Sequence, residues 1–214
     1  MKTLSEDKQT LNITIRLTEP ADFRETENVT REAFWNLFQP GCDEHLILHQ
    51  LRESEDFVPE LDLVAIIGNQ IVGNIVYSRA ILRNEDSEYS VLCMGPLCVL
   101  PEYQCRGIGM RLMEASIDKA RDLGYLAVII FGHPGYYQRF GFREAGEYGI
   151  QTAEGKNMEA FMALDLRGGG LPDISGRFYE SGAFQSKKEI LEDFEKGFPP
   201  KEKKVLPGQF RSEA

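Results

Sequence analysis

The sequence predicts an α+β domain organised around a mixed, mostly antiparallel sheet. Three observations carry this. An apolar strand, Leu61–Ile67, is followed by Gly68-Asn69 and a second apolar stretch, Gln70–Ile81, which is a hairpin pattern. A polar turn, Arg83–Ser87, then leads into a long run, Tyr89–Val99, so a third strand returns alongside the second. Residues 97–131 read strand, glycine turn, helix, strand, a crossover that joins parallel neighbours. Hairpins followed by one crossover make a mixed sheet rather than an all-parallel one.

Taken in order, residues 1–11 form a loose lead-in, and Asn12–Leu17 alternates Ile13, Ile15 and Leu17 as a first strand. Thr18-Glu19-Pro20-Ala21-Asp22 places a capping residue ahead of a proline and opens a helix that runs to about Trp35. Asn36–Gly41 is a break, and Asp43–Arg52 a second, shorter helix. After the central strands, Met110–Leu123 continues a helical apolar spacing set by Ile108, Leu112, Met113, Ile117 and Ala120, with Gly124 at the C-terminal cap. Leu126–Phe131 is a buried strand. Gly132-His133-Pro134-Gly135 then leads to a short helix at Tyr136–Phe140, and Arg143–Gln151 with Asn157–Leu166 makes a final antiparallel pair.

Gly168-Gly169-Gly170-Leu171-Pro172 marks a boundary, which divides a domain over 12–166 from an extension over 167–214. In the extension, Ser186-Lys187-Lys188-Glu189 has a capping-box pattern and opens a helix ending at Lys196-Gly197, stopped by Pro199-Pro200. Phe178, Tyr179, Phe184, Phe194 and Phe198 are too many aromatics for a free linker. The extension therefore packs on the domain or on a partner subunit, which is compatible with a homodimer.

A length of 214 residues with 42% hydrophobic content suits one domain with a substantial core. The net charge of −10 argues against non-specific nucleic-acid binding and against an anionic membrane surface, and leans towards a cationic partner. No apolar run is long enough to span a bilayer, and Met1–Lys8 is polar, so a cytoplasmic protein is expected. Cys42, Cys93, Cys98 and Cys105 form neither a C-x-x-C pair nor a zinc pattern.

The chemistry concentrates at Leu97–Gly109. A glycine turn between a strand and a helix N-terminus presents free N–H groups to an anion, and Arg106 and Arg111 add local positive charge. No G-x-x-x-x-G-K-[ST] occurs, so this is not a P-loop. A dinucleotide fingerprint fails too, because the third glycine and the ribose-binding carboxylate after the next strand are both missing.

Gln104-Cys105-Arg106-Gly107-Ile108-Gly109 resembles the Q/R-x-x-G-x-G/A signature of the GCN5-related N-acetyltransferases, the GNAT family. Tyr137-Gln138-Arg139-Phe140-Gly141-Phe142 resembles that family's Tyr-x-x-x-Gly-Phe, at the expected distance. The resemblance spans about Ile13 to Leu166. It implies the αβα-layered acyl-CoA N-acyltransferase fold, with helices on both faces of the sheet and strands splayed at a cofactor cleft. It implies acetyl-CoA as co-substrate, no metal, and a primary amine as acceptor, attacked directly in a ternary complex. On this resemblance, backbone N–H groups among Gln104, Cys105, Arg106, Gly107, Ile108, Gly109 and Met110 hold the pyrophosphate. Leu97, Cys98 and Val99 pair with the pantetheine arm, with a bulge at Gly95-Pro96 presenting an N–H near Leu97 to the thioester oxygen. Tyr137 is the general acid for the leaving thiolate, and Tyr136 is the alternative one helical step away.

The general base is open: Asp43, Glu44, His45 and Glu102 are candidates, and solvated charge is the plain reading for each. His45 and His49 share a helix face, but no third ligand completes a metal site. His133 ends the strand beside the cleft, where the family often has asparagine. Cys105 stands where the family often has glycine, which favours a tolerated small residue over a redox thiol. Two other readings share parts of the pattern: a non-catalytic acyl-CoA-binding module, which has no need of Tyr137, and a nucleotide-dependent oxidoreductase, disfavoured by the missing fingerprint.

Overall fold

A computed structural model describes residues 12–169, 171 and 174–209. The lead-in over 1–11 and parts of the glycine-rich boundary, Gly170 and Pro172, lie outside the described residues. Strands β1 (Ile13–Leu17), β2 (Leu63–Ile67), β3 (Gln70–Arg83) and β4 (Glu88–Val99) form an antiparallel meander. Helices α1 (Phe23–Phe34) and α2 (Glu44–Glu53) intervene between β1 and β2. After β4 come α3 (Ile108–Asp122) and β5 (Ala127–Phe131), which lies parallel to β4. The sheet continues to β8 (Phe161–Asp165) and then β6 (Arg143–Glu144), both joined antiparallel. The sheet is therefore mixed and mostly antiparallel, as expected, and it is open.

Helices cover both faces. On one, Gly73 of β3 lies under Leu112 and Ile108 of α3, and the Tyr77 hydroxyl is 2.8 Å from Ser116 Oγ. On the other, Cys98 Sγ of β4 lies 3.3 Å from Thr30 Oγ1 of α1, and Val76 packs on Leu48 and Leu51 of α2. The C-terminal end of α2 is pinned by a buried Arg52–Asp62 pair at 2.9 Å. Asp62 also accepts from Asn74 Nδ2 at 2.8 Å and from Thr18 Oγ1 at 2.6 Å, so each partner of this charge pair is satisfied.

The decisive feature for a ligand is where the sheet comes apart. β4 and β5 pair only at Leu92↔Val128 and Cys93↔Ile129. Just beyond, the register between Ile75↔Leu97 and Tyr77↔Met94 slips, so Gly95 and Pro96 of β4 oppose the single residue Val76 of β3. That is the expected bulge; it bends β4 away from β5, and Pro96 has no N–H to offer a neighbouring strand.

Several local expectations are corrected. The third helix begins at Ile108 because Gly107 (φ 81°) serves as its N-cap in the left-handed region. The first helix is entered through a 3-10 turn at Pro20–Asp22, where Glu19 and Asp22 form the capping box. The short helix after β5 is α4 (Pro134–Tyr137), continued as a 3-10 turn over Gln138–Phe140. Only Arg143–Glu144 of the predicted Arg143–Gln151 strand pairs with β8. Ala145–Tyr148 winds into a 3-10 turn closed by Gly149 at φ 71°, and β7 (Ile150–Thr152) pairs instead, in parallel, with β9 (Gly176–Tyr179).

β9 also lies antiparallel to the end of β3, through Ile81↔Tyr179 and Leu82↔Phe178. The predicted Ser186 capping box is not made: the Ser186 hydroxyl donates to Asp43, and Lys187 is the N-cap of α5 (Lys188–Glu195). Helix α5 is held against α1 and α2 by Glu195, which accepts from Arg31 Nε and Nη2 at 2.9 Å each. Beyond it, the chain crosses α1, with Trp35 Nε1 donating to the Glu202 carbonyl at 2.9 Å.

Candidate active site

Two cavities open where β4 and β5 part. One, about 570 Å³, is lined by Leu97, Cys98, Val99, Tyr103, Gln104, Cys105, Gly107, Ile108, Gly109, Met110, Tyr136, Tyr137 and Arg139. The other, about 520 Å³, lies across the sheet and includes Phe34, Glu44, Phe131, His133, Glu180 and Phe184. Leu97, Tyr136 and Tyr137 line both, so the two adjoin at the gap in the sheet.

The floor of the first cavity is the turn into α3. The N–H groups of Cys105, Arg106, Gly107, Ile108, Gly109 and Met110 make no hydrogen bond of normal geometry to another described residue; the first helical bond is Arg111 N to the Gly107 carbonyl, 3.1 Å. Six consecutive unpaired donors at the positive end of a 15-residue helix form a ready anion site. The conformation that aims them requires left-handed backbone at Cys105 (φ 60°) and at Gly107. The first explains why glycine suits position 105, since an L side chain is strained there.

Gln104 turns its amide back onto the Val99 carbonyl at 3.0 Å, bracing the turn. Arg106 does not line the cavity; it is exposed, its guanidinium 5.7 Å from the Tyr103 ring centre. The wall is β4, whose edge facing β5 is unpaired beyond Cys93, leaving the backbone of residues 94–99 open to an extended ligand. Cys98 contributes backbone only: its thiol is buried towards Thr30 and is pushed up to about 11 by that burial.

α4 carries the two tyrosines over the gap. They meet edge to face, with ring centres 4.9 Å apart. The Tyr136 hydroxyl sits above Gly109, where a Cβ would come within 2.8 Å of it, so glycine is needed for close approach. The Tyr137 ring lies on Gly132, where any Cβ would collide with it, and packs against Phe142 at 5.6 Å. The Tyr137 hydroxyl bonds to no described residue, and burial followed by the neighbouring Tyr136 raises its pKa, so it remains protonated at neutral pH.

Of the four candidate bases, Glu44 alone lines either of these two cavities. Burial, opposed by backbone N–H donors, raises it to about 7. Asp43 is engaged by Gln39 and Ser186, and Glu102 is exposed and lines neither cavity. His45 is fully buried, with Nε2 2.7 Å from Glu195 Oε1 but out of line for a hydrogen bond; burial, against the pull of Glu195, lowers it to about 4. His49 Nδ1 is 2.8 Å from Glu27. The two histidines thus face carboxylates, and no group of three His, Cys, Asp or Glu among the described residues is placed to hold a metal. His133 is exposed at the rim of the second cavity, and its carbonyl accepts from Tyr136 N at 2.9 Å, which starts α4. Sequence reasoning missed Phe34, Phe131, Glu180 and Phe184. No motif marks them, and the last two come from the extension.

A model of the acetyltransferase (GNAT) domain matches residues 60–144. The chain is 33% identical over 139 residues to the uncharacterized N-acetyltransferase YjhQ of Escherichia coli (strain K12), covering 64% of this chain and 74% of that protein. The chain belongs to the GNAT N-acetyltransferase family. It is accordingly an acyltransferase, and the fold agrees. YhbS from Escherichia coli, a GNAT protein solved in complex with CoA, superposes with a TM-score of 0.72 at 26% identity, covering 81% of this chain and 92% of that one. A GNAT acetyltransferase from Brucella melitensis in complex with acetyl-CoA gives 0.65 at 28% identity, covering 81% and 98%. No helix among the described residues is long and apolar enough to cross a membrane.

Proposed function

We propose that this GNAT protein transfers acetyl from acetyl-CoA to a primary amine by direct attack in a ternary complex. The observation that carries the reading is that two cavities adjoin at the β4–β5 gap, one floored by the N–H groups of residues 105–110 and the other lined by the half-buried carboxylate of Glu44. The N–H groups of residues 105–110 bind the pyrophosphate. The open edge of β4 at Leu97–Val99 pairs with the pantetheine arm as an added strand would. The N–H of Leu97, beside the bulge, faces the thioester oxygen and stabilises the charge that develops there. Glu44 takes the proton from the incoming ammonium. The Tyr137 hydroxyl donates to the sulfur as the C–S bond breaks and is restored by the second proton that the nitrogen sheds as the amide forms; its raised pKa keeps the phenol protonated beforehand. Access from opposite sides of the sheet lets both substrates sit together, so no acyl-enzyme is required. Cys98 is held away from the gap and is protonated.

Calorimetric titration with acetyl-CoA, CoA and NADH tests this. Micromolar binding of both CoA species with NADH silent is the expected outcome. Absence of CoA binding overturns it and leaves the glycines as turn residues only.

A further inference from the structure

The second cavity carries information about the acceptor. Its walls are aromatic: Phe34 from α1, Phe131 from the end of β5 and Phe184 from the extension, with Tyr136 and Tyr137 at the gap. Phe131 is 50% exposed although its ring stacks on Phe161 at 4.9 Å, so a large apolar surface faces an open space. Such a surface at a cleft is the mark of an apolar ligand. Two carboxylates, Glu44 and Glu180, line the same cavity, and neither is paired with a cation among the described residues. Glu44 accepts only from backbone, at 3.2 Å from Asp43 N, and burial raises it. Glu180, at the rim, is likewise raised by desolvation and then by Glu154. Carboxylates short of a cation, set in an aromatic box, match an ammonium carried on an apolar body.

The extension wall is built rather than draped. Phe184 closes a 3-10 turn, Gly182–Phe184, capped by Ser181 Oγ accepting from Ala183 N. Gln50 Nε2 of α2 donates to the carbonyls of Ala183 and Gln185 at 2.9 and 3.2 Å, which fixes that turn against the helix bearing Glu44.

We propose that the acceptor is a small monoamine with an aromatic body, its ammonium at Glu44 and Glu180 and its ring against Phe34, Phe131 and Phe184. This rests on the acetyl-transfer reading above and names the substrate class for it. A linear polyamine or a lysine side chain brings only methylenes, and no ring, to the exposed faces of Phe34, Phe131 and Phe184.

The test uses the full chain, acetyl-CoA and thiol-release detection with 2-phenylethylamine, n-butylamine, spermidine and a lysine-containing peptide. The expected kcat/KM for 2-phenylethylamine exceeds each of the others by at least tenfold. Phe184→Ala raises the KM for 2-phenylethylamine about tenfold, changes that for n-butylamine by less than threefold, and leaves the acetyl-CoA dissociation constant unchanged. Glu180→Gln raises the KM for both amines. If acetyl-CoA binds but spermidine or the peptide is the better substrate, or 2-phenylethylamine is not turned over, the acceptor assignment is overturned while the cofactor reading stands. If acetyl-CoA does not bind, the cofactor reading falls first and the assignment with it.

Discussion

Replacing Glu44 by Gln should make the protein more stable and less active, in a pH-dependent way. Glu44 lines a largely apolar cavity together with Tyr136, Tyr137, His133 and Glu180, and is beside Asp43 in sequence. Burial raises it from its ordinary 4.5 to about 7, with backbone donors opposing and the Asp43 charge adding. A raised carboxyl binds its proton more tightly folded than unfolded, so stability falls as pH rises from about 4.5 to about 7, and the whole penalty is present above that. The full displacement corresponds to roughly 3 kcal/mol; residual solvent access at this position reduces it to about 1–2 kcal/mol. Glu44→Gln keeps an oxygen for the Asp43 N–H and never ionises. Urea denaturation should therefore show the variant about 1–2 kcal/mol more stable at pH 8 and equal to the parent near pH 4. As the general base, Glu44 must be ionised, so the parent's kcat/KM should rise through pH 7, and the variant should lose about a hundredfold and that rise. A variant less stable than the parent at pH 8 would refute the burial penalty; one with activity within threefold of the parent would remove Glu44 as base.

The remaining predictions concern the cleft and its support. Tyr137→Phe should lower kcat about a hundredfold with acetyl-CoA affinity within twofold by calorimetry, whereas Tyr136→Phe should change kcat less than threefold; the reverse pattern would make Tyr136 the donor. Cys105→Gly removes an L side chain from φ 60° at the cost of a more flexible unfolded chain, and should raise the urea midpoint by the equivalent of about 0.5 kcal/mol. A lowered midpoint would show that the Cys105 side chain contributes contacts of its own. Glu195→Ala strands the buried Arg31 guanidinium and should cost about 3 kcal/mol, seen as a melting temperature lower by roughly 6–12 °C. A drop under 2 °C would show that α5 contributes little to the fold.

How far the sequence is readable depends on how local the physics is. The hairpins, the crossover and the helix after Gly107 rest on periodicity and turn chemistry within about a dozen residues, and each is present. The turn at 104–110 is likewise local, because what it offers a ligand in the proposed reading is backbone N–H groups whose direction follows from two left-handed residues. What failed depends on distant partners. Gln151 looked like a continuation of Arg143, but Gly149 turns the chain, and three residues of β7 find β9 some 25 residues later in parallel, a pairing with no local signal. Ser186 has the right neighbours for a capping box, yet its hydroxyl binds Asp43, 143 residues away. His45 and His49 have ligand spacing, but their partners Glu195 and Glu27 lie on other helices.

The same distinction divides the two halves of the cleft. The segment matched by the GNAT domain model, 60–144, holds the whole glycine turn, the open edge of β4 and Tyr137. Glu44 and Phe34 precede it, and Glu180 and Phe184 follow it. A backbone N–H nest recognises a pyrophosphate with almost any side chains, so it needs only a turn geometry that a family can share. Selecting one amine from many needs side chains of particular shape and charge, and in the proposed reading most of these come from α1, α2 and the extension, with Phe131 added from β5. Those parts are tied together by contacts of their own, Gln50 to Ala183 and Arg31 to Glu195, independent of the nest. In the proposed reading, changing the extension therefore alters which amine is acetylated without altering how CoA is held. The Phe184→Ala split between amine KM and acetyl-CoA affinity measures that separation directly.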